Sequence, residues 1–509
     1  MLFLVLFGTL RSHQFLLGNR SEKMKGKAYN QAQLLVFLFV IFCFVKLAII
    51  KHIPLINDEA YTLTISRHLS LSYLDHPPLM MWLSYFLHQF AIIESYVFRI
   101  PYIAFGILTS FFLFKIGSII YSKEAGIVSA ILYFISPFFF LSGGLFIVPD
   151  ASLNFSVAGA TYIAIRLIFR NEENTFLWLS LGILLSIAFL SKYQAYLFGT
   201  ALFMAFFIWK RTMLFTKKFN ISLLAAVVGL VPVLLWNIEN NFESFAFHGN
   251  RSSFTFDFQH IFNSLFAQLF FLLPTTGVLI FLSLNKKLIK KHEKFLILLS
   301  LPTIIIFNIL ILLSDNSFAH WSMVGWMLLI PIASNHLILM KSFKPQLLSL
   351  KVLSILAIVI LISSIITHAK TGFITRNYGE KIPSWDDTRE LLDWGLIANV
   401  LAKNLQSNEL NSIATLNWYD SGQLAAAFNF KYSVGVIGPN SNHFKYINLK
   451  DKNFTTLIDV RLIHSKEHFE LKEVTLDHGY NIINKTELPF FRGSQKYGII
   501  NILSVDKIN

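Results

Sequence analysis

The stretch NDEAYTLTISRHLSLSYLDHPPL, Asn57 to Leu79, crowds three carboxylates and two histidines behind a long apolar run. Asp58, Glu59, Asp75 and His76 are its chemically capable members. A carboxylate held where partial burial and nearby cations tune its pKa can take a proton from a hydroxyl or amine. Further along, Asp150 follows Pro149, Lys192 and Tyr193 close another apolar run, and His248, Arg251, Asp315 and His320 stand in later polar segments. Lys192, Arg251 and a protonated His76 are of the type that neutralises phosphate charge in a water-poor site.

These groups need a scaffold, and the composition says which kind. Hydrophobic residues make up 54% of the 509 and charged residues 14%, with a mean hydropathy of +0.57. Soluble domains carry about a quarter charged residues, so the chain reads as an integral membrane protein. Eleven apolar runs suit helices crossing roughly 30 Å of hydrocarbon: near 32–50, 98–117, 125–145, 151–169, 175–191, 194–209, 220–237, 262–283, 295–313, 321–340 and 351–368. The net charge of +14 sits in short clusters between these runs, which fits membrane orientation and anionic headgroups and argues against nucleic acid. The single cysteine, Cys43, excludes an intrachain disulfide.

Lys and Arg concentrate in alternate loops. Lys210, Arg211, Lys217 and Lys218 share one, and Lys286, Lys287, Lys290, Lys291 and Lys294 another, whereas the intervening loops hold little beyond Lys51, Arg67, Arg99, Lys192 and Arg251. That bias predicts a cytoplasmic N-terminus and an external C-terminus. It also makes Leu79 to Ile93 an interfacial helix, because counting it as a span would invert every later loop. Residues 1–31 read as a cytoplasmic or interfacial lead-in, 32–369 as the membrane domain with a large first outer loop at 51–97, and 370–509 as a small external α/β domain. In the last, Ser412–Asn417, Tyr432–Gly438, Phe454–Ile463 and Tyr497–Val505 look like strands, and Thr388–Leu405 has helical spacing.

With that sidedness the acids and histidines fall in outward loops, which can converge on one cavity at one edge of the bundle. A polar cavity there suits an enzyme that takes one substrate from the lipid and the other from water, such as one moving a sugar off a lipid phosphate. Each residue also has a plainer use. Asp58 and Glu59 can cap a helix, Asp150 can cap the run beginning at Ala151, Lys192 can snorkel to headgroups, and His320 beside Trp321 can anchor an interface. A transporter or lipid flippase, or a non-catalytic scaffold, would also use such spans. The acids gather at one edge and no internal repeat is evident, unlike a midplane transport site.

The motifs NDEAYTLTISRHL, YLDHPPLMMWL, FRIPYIAFG and IVPDASL, with LSKYQAYL, WNIENNFESFAFHGNR and AHWS after them, resemble the bacterial branch of the protein O-mannosyltransferase superfamily, which also holds the lipid A aminoarabinose transferases. The resemblance covers roughly residues 33–340. It implies a GT-C glycosyltransferase fold in a bacterial inner membrane, a periplasmic active site, and a polyprenyl-phosphate-linked sugar as donor, with a lipid, glycan or protein as acceptor. It also implies Asp58 as catalytic base, Lys192 as a contact of the donor phosphate and Asp75 beside the site. Some relatives hold a divalent metal there, for which Asp75 and His248 would be ligands; no cofactor is otherwise implied. Two departures, Tyr61 where the aminoarabinose transferases have an arginine and His76 where they have a lysine, remove the ground for naming aminoarabinose as the sugar.

Overall fold

The computed structural model describes residues 20–90, 94–249, 256–284, 289–314, 317–340, 366–373, 392–447, 453–462, 471–493 and 495–508, with isolated residues between 356 and 364. Residues 1–45 form one compact unit and 46–509 a second. The first is represented by the greater part of the helix Arg20–Ile49.

Among the described residues of the second unit, five helices are long and apolar enough to cross a membrane: Ser95–Ile120, Pro149–Arg170, Ala195–Phe215, Lys291–Leu313 and Ala319–Leu339. Two bent pairs raise the number to seven, and Thr175–Ser191 is a shorter apolar helix. Leu153, Val157, Ile163, Trp178, Phe206, Met327 and Ile330 belong to their common core. Large apolar side chains such as Leu224, Phe266 and Phe281 point outward, 64–73% exposed. Apolar surface on that scale is stable only against lipid.

Three expected runs are not straight helices. Residues 125–145 divide into Lys123–Ile135 and Pro137–Leu141, because Pro137 brings no N–H and holds Ser136 in extended backbone. The run 220–237 bends by 41° between Val228 and Val231, and 262–283 by 94° between Phe271 and Pro274, where Leu273 adopts a left-handed φ of 68°. Most of 351–368 lies outside the described residues. Leu79–His88 is a ten-residue helix, about 15 Å long and too short to cross a bilayer.

The C-terminal part carries a five-stranded sheet: β1 (Ile413–Asn417), β2 (Gly435–Asn440), β3 (Thr456–Leu462), β4 (Tyr480–Arg492) and β5 (Gln495–Lys507), in the order β2-β1-β3-β5-β4. β1 runs parallel to β2 and β3, and β5 lies antiparallel between β3 and β4. The helical pattern at 388–405 appears as Trp394–Asn404, opened by Asp393, whose carboxylate accepts from Gly395 N–H. Strand β4 was not legible, since YNIINKTELPFFR is an edge strand with a largely exposed middle and Pro489 inside it, so neither face alternates cleanly.

The helix Trp418–Ala427 crosses directly over Asn57–Ile65. A Cβ on Gly422 would lie 2.7 Å from the Tyr61 backbone nitrogen, so glycine is needed at this crossing. Beside it, Gln423 Nε2 donates to the Leu55 carbonyl (2.9 Å) and to Asn57 Oδ1 (3.0 Å). The sheet domain is thereby fastened to the helix that carries the acid pair.

Candidate active site

Asp58 and Glu59 occupy the first turn of the helix Asn57–Ile65, and successive residues of a helix point about 100° apart. Asp58 is exposed and Glu59 fully buried. Glu59 meets Arg99 through two hydrogen bonds, Nε to Oε1 (2.8 Å) and Nη2 to Oε2 (2.5 Å), and accepts further from the Ile147 and Ile56 N–H groups. Arg99 gives its other donors to the carbonyls of Ile50, Ile53 and Pro54. Both charges are satisfied to their full hydrogen-bonding capacity, as a buried pair must be to persist.

From Glu59 the contacts run round a closed ring of loops at one end of the bundle. Ile147, bonded to Glu59, stands three residues before Asp150. Asp150 takes the Lys192 ammonium on both oxygens, at 2.9 and 3.0 Å, with both side chains about nine-tenths buried. Tyr193 follows Lys192; its hydroxyl lies 2.6 Å from Ser244 Oγ and its ring packs 5.0 Å from the His248 imidazole. His248 Nε2 donates to the Asp75 carbonyl at 3.0 Å, which returns the ring to the first loop. His320 stacks against Phe138 within electrostatic reach of Lys192 and Asp150. His76 is half-buried beside Asp75 in the chain. Arg251 and Asp315 lie outside the described residues.

Asp58 stands near Tyr61, one helical turn on, and Tyr61 Oη donates to Asp75 Oδ1 (3.0 Å) while accepting from the His443 N–H (3.1 Å). Burial first, and then the Asp75 charge, hold the Tyr61 hydroxyl well above its ordinary pKa, so it stays a donor to that carboxylate. His443 reaches in from the sheet domain, accepts the Leu74 N–H on Nδ1 (3.1 Å) and packs 4.6 Å from Tyr73. Burial above all, with the charges of His68 and Lys445, lowers its pKa to about 3.

The sign of that shift gives a pH dependence. His443 is neutral when folded and titrates near 6.5 when unfolded, so its contribution is complete above pH 6.5 and disappears as pH falls toward 3. Between pH 7 and pH 5 the loss is about 2 kcal/mol. Thermal unfolding of the purified protein and of His443→Gln at the two pH values measures it. The wild type loses more stability than the variant; equal losses would contradict the assignment.

Among the described residues no group of three His, Cys, Asp or Glu side chains is placed to hold a metal ion. His248 Nε2 is engaged by the Asp75 main-chain carbonyl. The contributors not foreseen from sequence are Arg99, His443, Ser244 and Tyr61 in its role toward Asp75. Only Arg99 left a trace, an arginine at the mouth of the apolar run FRIPYIAFG, where an unpaired charge would be costly.

Residues 75–236 match the family model of the dolichyl-phosphate-mannose-protein mannosyltransferases. Among solved structures, ArnT from Cupriavidus metallidurans bound to undecaprenyl phosphate aligns with a TM-score of 0.63 at 14% identity, over 94% of this chain and 98% of that one. Its apo state gives the same score and coverage at 12% identity. The archaeal oligosaccharyltransferase AglB from Archaeoglobus fulgidus, in complex with an inhibitory peptide and a dolichol-phosphate, aligns over 83% of this chain and 69% of that one at 11% identity, with a TM-score of 0.46. A comparison with curated protein sequences finds no match. At these identities the structural likeness is one of fold. In sequence over 75–236 and in fold over most of its length, the chain is similar to the GT-C, mannosyltransferase-like proteins, as its motifs imply.

Proposed function

We propose that the protein is a membrane glycosyltransferase that moves a sugar from a polyprenyl-phosphate donor to an acceptor on the non-cytoplasmic side of a bacterial inner membrane. Asp58 takes the proton of an acceptor hydroxyl or amine as that atom attacks the anomeric carbon. The bond from that carbon to the phosphate oxygen breaks, and polyprenyl phosphate departs with the electron pair. A single displacement of this kind inverts the anomeric configuration. Lys192, with His76, Arg251 and His320 as further donors to the phosphate, receives the departing charge, while Asp150 holds the ammonium in place. Asp75, Tyr193 and His248 line the acceptor side, and Glu59 positions the Asp58 helix through Arg99. The N-terminus is cytoplasmic, and residues 370–509 form a periplasmic domain over the site.

The observation that carries this reading is the closed ring of contacts, Glu59 to Ile147, Asp150 to Lys192, Tyr193 to Ser244 and His248 to Asp75, with Asp58 exposed beside it. Segments from four loops converge there with acid and base chemistry intact. Purified protein in proteoliposomes, given polyprenyl-phosphate hexoses, pentoses and amino sugars with an envelope extract, tests the reading. One donor yields polyprenyl phosphate in an acceptor-dependent manner, and nucleotide sugars alone yield none. Failure with every donor, or direct use of a nucleotide sugar, would contradict it.

A further inference from the structure

A polar cavity of about 150 Å³ opens between the far end of the Asp58 helix and the sheet domain. Arg67 and His68 reach it from just beyond that helix, and Lys431 and Ser433 from the segment leading into β2. Thr64 and Phe430 complete much of its wall. Arg67, His68, Lys431 and Ser433 are all exposed. The Arg67 guanidinium lies 5.5 Å over the Phe430 ring, and the Lys431 ammonium 5.2 Å over that of Tyr432. Among the described residues, no carboxylate pairs with Arg67 or Lys431.

Helix-end electrostatics accounts for part of this. Cations after a helix C-terminus are favourable, and Arg67 and His68 follow Asn57–Ile65. It does not account for Lys431, which a separate domain brings to the same cavity. Nor does it explain why Asn429 and Phe430 both hold left-handed φ values, 51° and 57°, a conformation that costs energy for a bulky aromatic residue. That backbone turns Phe430 under the guanidinium and against His88, whose ring lies 5.4 Å away. The result is an apolar floor with cations and a hydroxyl at the rim.

We infer that this cavity binds a phosphomonoester group through Arg67, Lys431, His68 and the Ser433 hydroxyl. Arginine with lysine is the pairing that recognises compact tetrahedral anions, through a planar fork and a point charge. The volume of about 150 Å³ leaves room for a phosphate with a small attached fragment. Thr64 lies six residues beyond Asp58, about 9 Å along the helix axis. A phosphorylated acceptor held here would present a group one or two sugar rings away to Asp58. That assignment to the acceptor rests on the transfer reading, whereas binding itself does not.

Binding is therefore measured without any donor, on full-length protein in neutral detergent at fixed ionic strength. Inorganic phosphate is one probe and phosphatidic acid in mixed micelles the other, with chloride and phosphatidylcholine as controls. Saturable stabilisation appears with a phosphate probe, weakens roughly tenfold or more in R67A/K431A and in the bulkier R67Q/K431Q, and persists in K403A, a change of an exposed lysine elsewhere in the same domain. Binding of both probes means that soluble phosphate suffices, and binding of phosphatidic acid alone identifies a membrane headgroup as the source; either supports the site. Phosphate probes that stabilise no more than chloride and phosphatidylcholine do, or undiminished binding in both double variants, would overturn it. Loss of sugar transfer in D58N with phosphate binding intact would separate this site from the catalytic one.

Discussion

Replacing Asp58 by Asn lowers the turnover of sugar transfer by about 10²- to 10⁴-fold, the range that a positioned general base contributes. The loss falls on kcat, because asparagine keeps the shape and can still contact the acceptor but cannot accept its proton. Stability changes little. Asp58 is exposed on the first turn, where losing a favourable charge at a helix N-terminus costs about 0.3–1 kcal/mol. Kinetics on purified protein, together with its thermal midpoint, check both halves. A variant that retains wild-type turnover would remove Asp58 from the mechanism.

The neighbouring acid gives the opposite outcome. Glu59→Gln or Arg99→Leu leaves one charge of a fully buried pair without its partner, which costs about 3–5 kcal/mol. Abundance and thermal midpoint both drop, and activity falls in proportion to the folded protein that survives. Arg99→Leu also releases the carbonyls of Ile50, Ile53 and Pro54, so the loop that carries Asp58 loosens. The double variant Glu59→Leu/Arg99→Leu removes both charges and recovers part of the stability. Thermal unfolding of the three proteins decides it: single variants as stable as the wild type would mean that the pair does not fasten the loop.

These contrasting outcomes mark what local sequence conveys. Asp58 and Glu59 are adjacent acids in one polar stretch, and only the rotation of the helix sends one outward and the other to Arg99, forty residues away. The bundle was legible because lipid demands long apolar runs, and the loop motifs were legible because several polar side chains recur beside them. The break at Ser136–Pro137 and the 94° bend before Pro274 were not marked as boundaries, since apolar residues continue on both sides of each. His443 is the clearest case of a contribution with no local signal. Its contacts with Tyr61 and Leu74 join residues more than 360 positions apart, across a domain whose sequence offered no motif. Strand β4 escaped because an edge strand need bury neither face.

The most direct test is a mass-spectrometric comparison of envelope lipids and glycans from cells that lack the protein, cells that carry the wild type, and cells that carry D58N as the sole copy at equal abundance. Loss of one sugar mass from a single acceptor, restored by the wild type and not by D58N, is the expected result. Unchanged spectra without the protein, or full restoration by D58N, would contradict sugar transfer from this site.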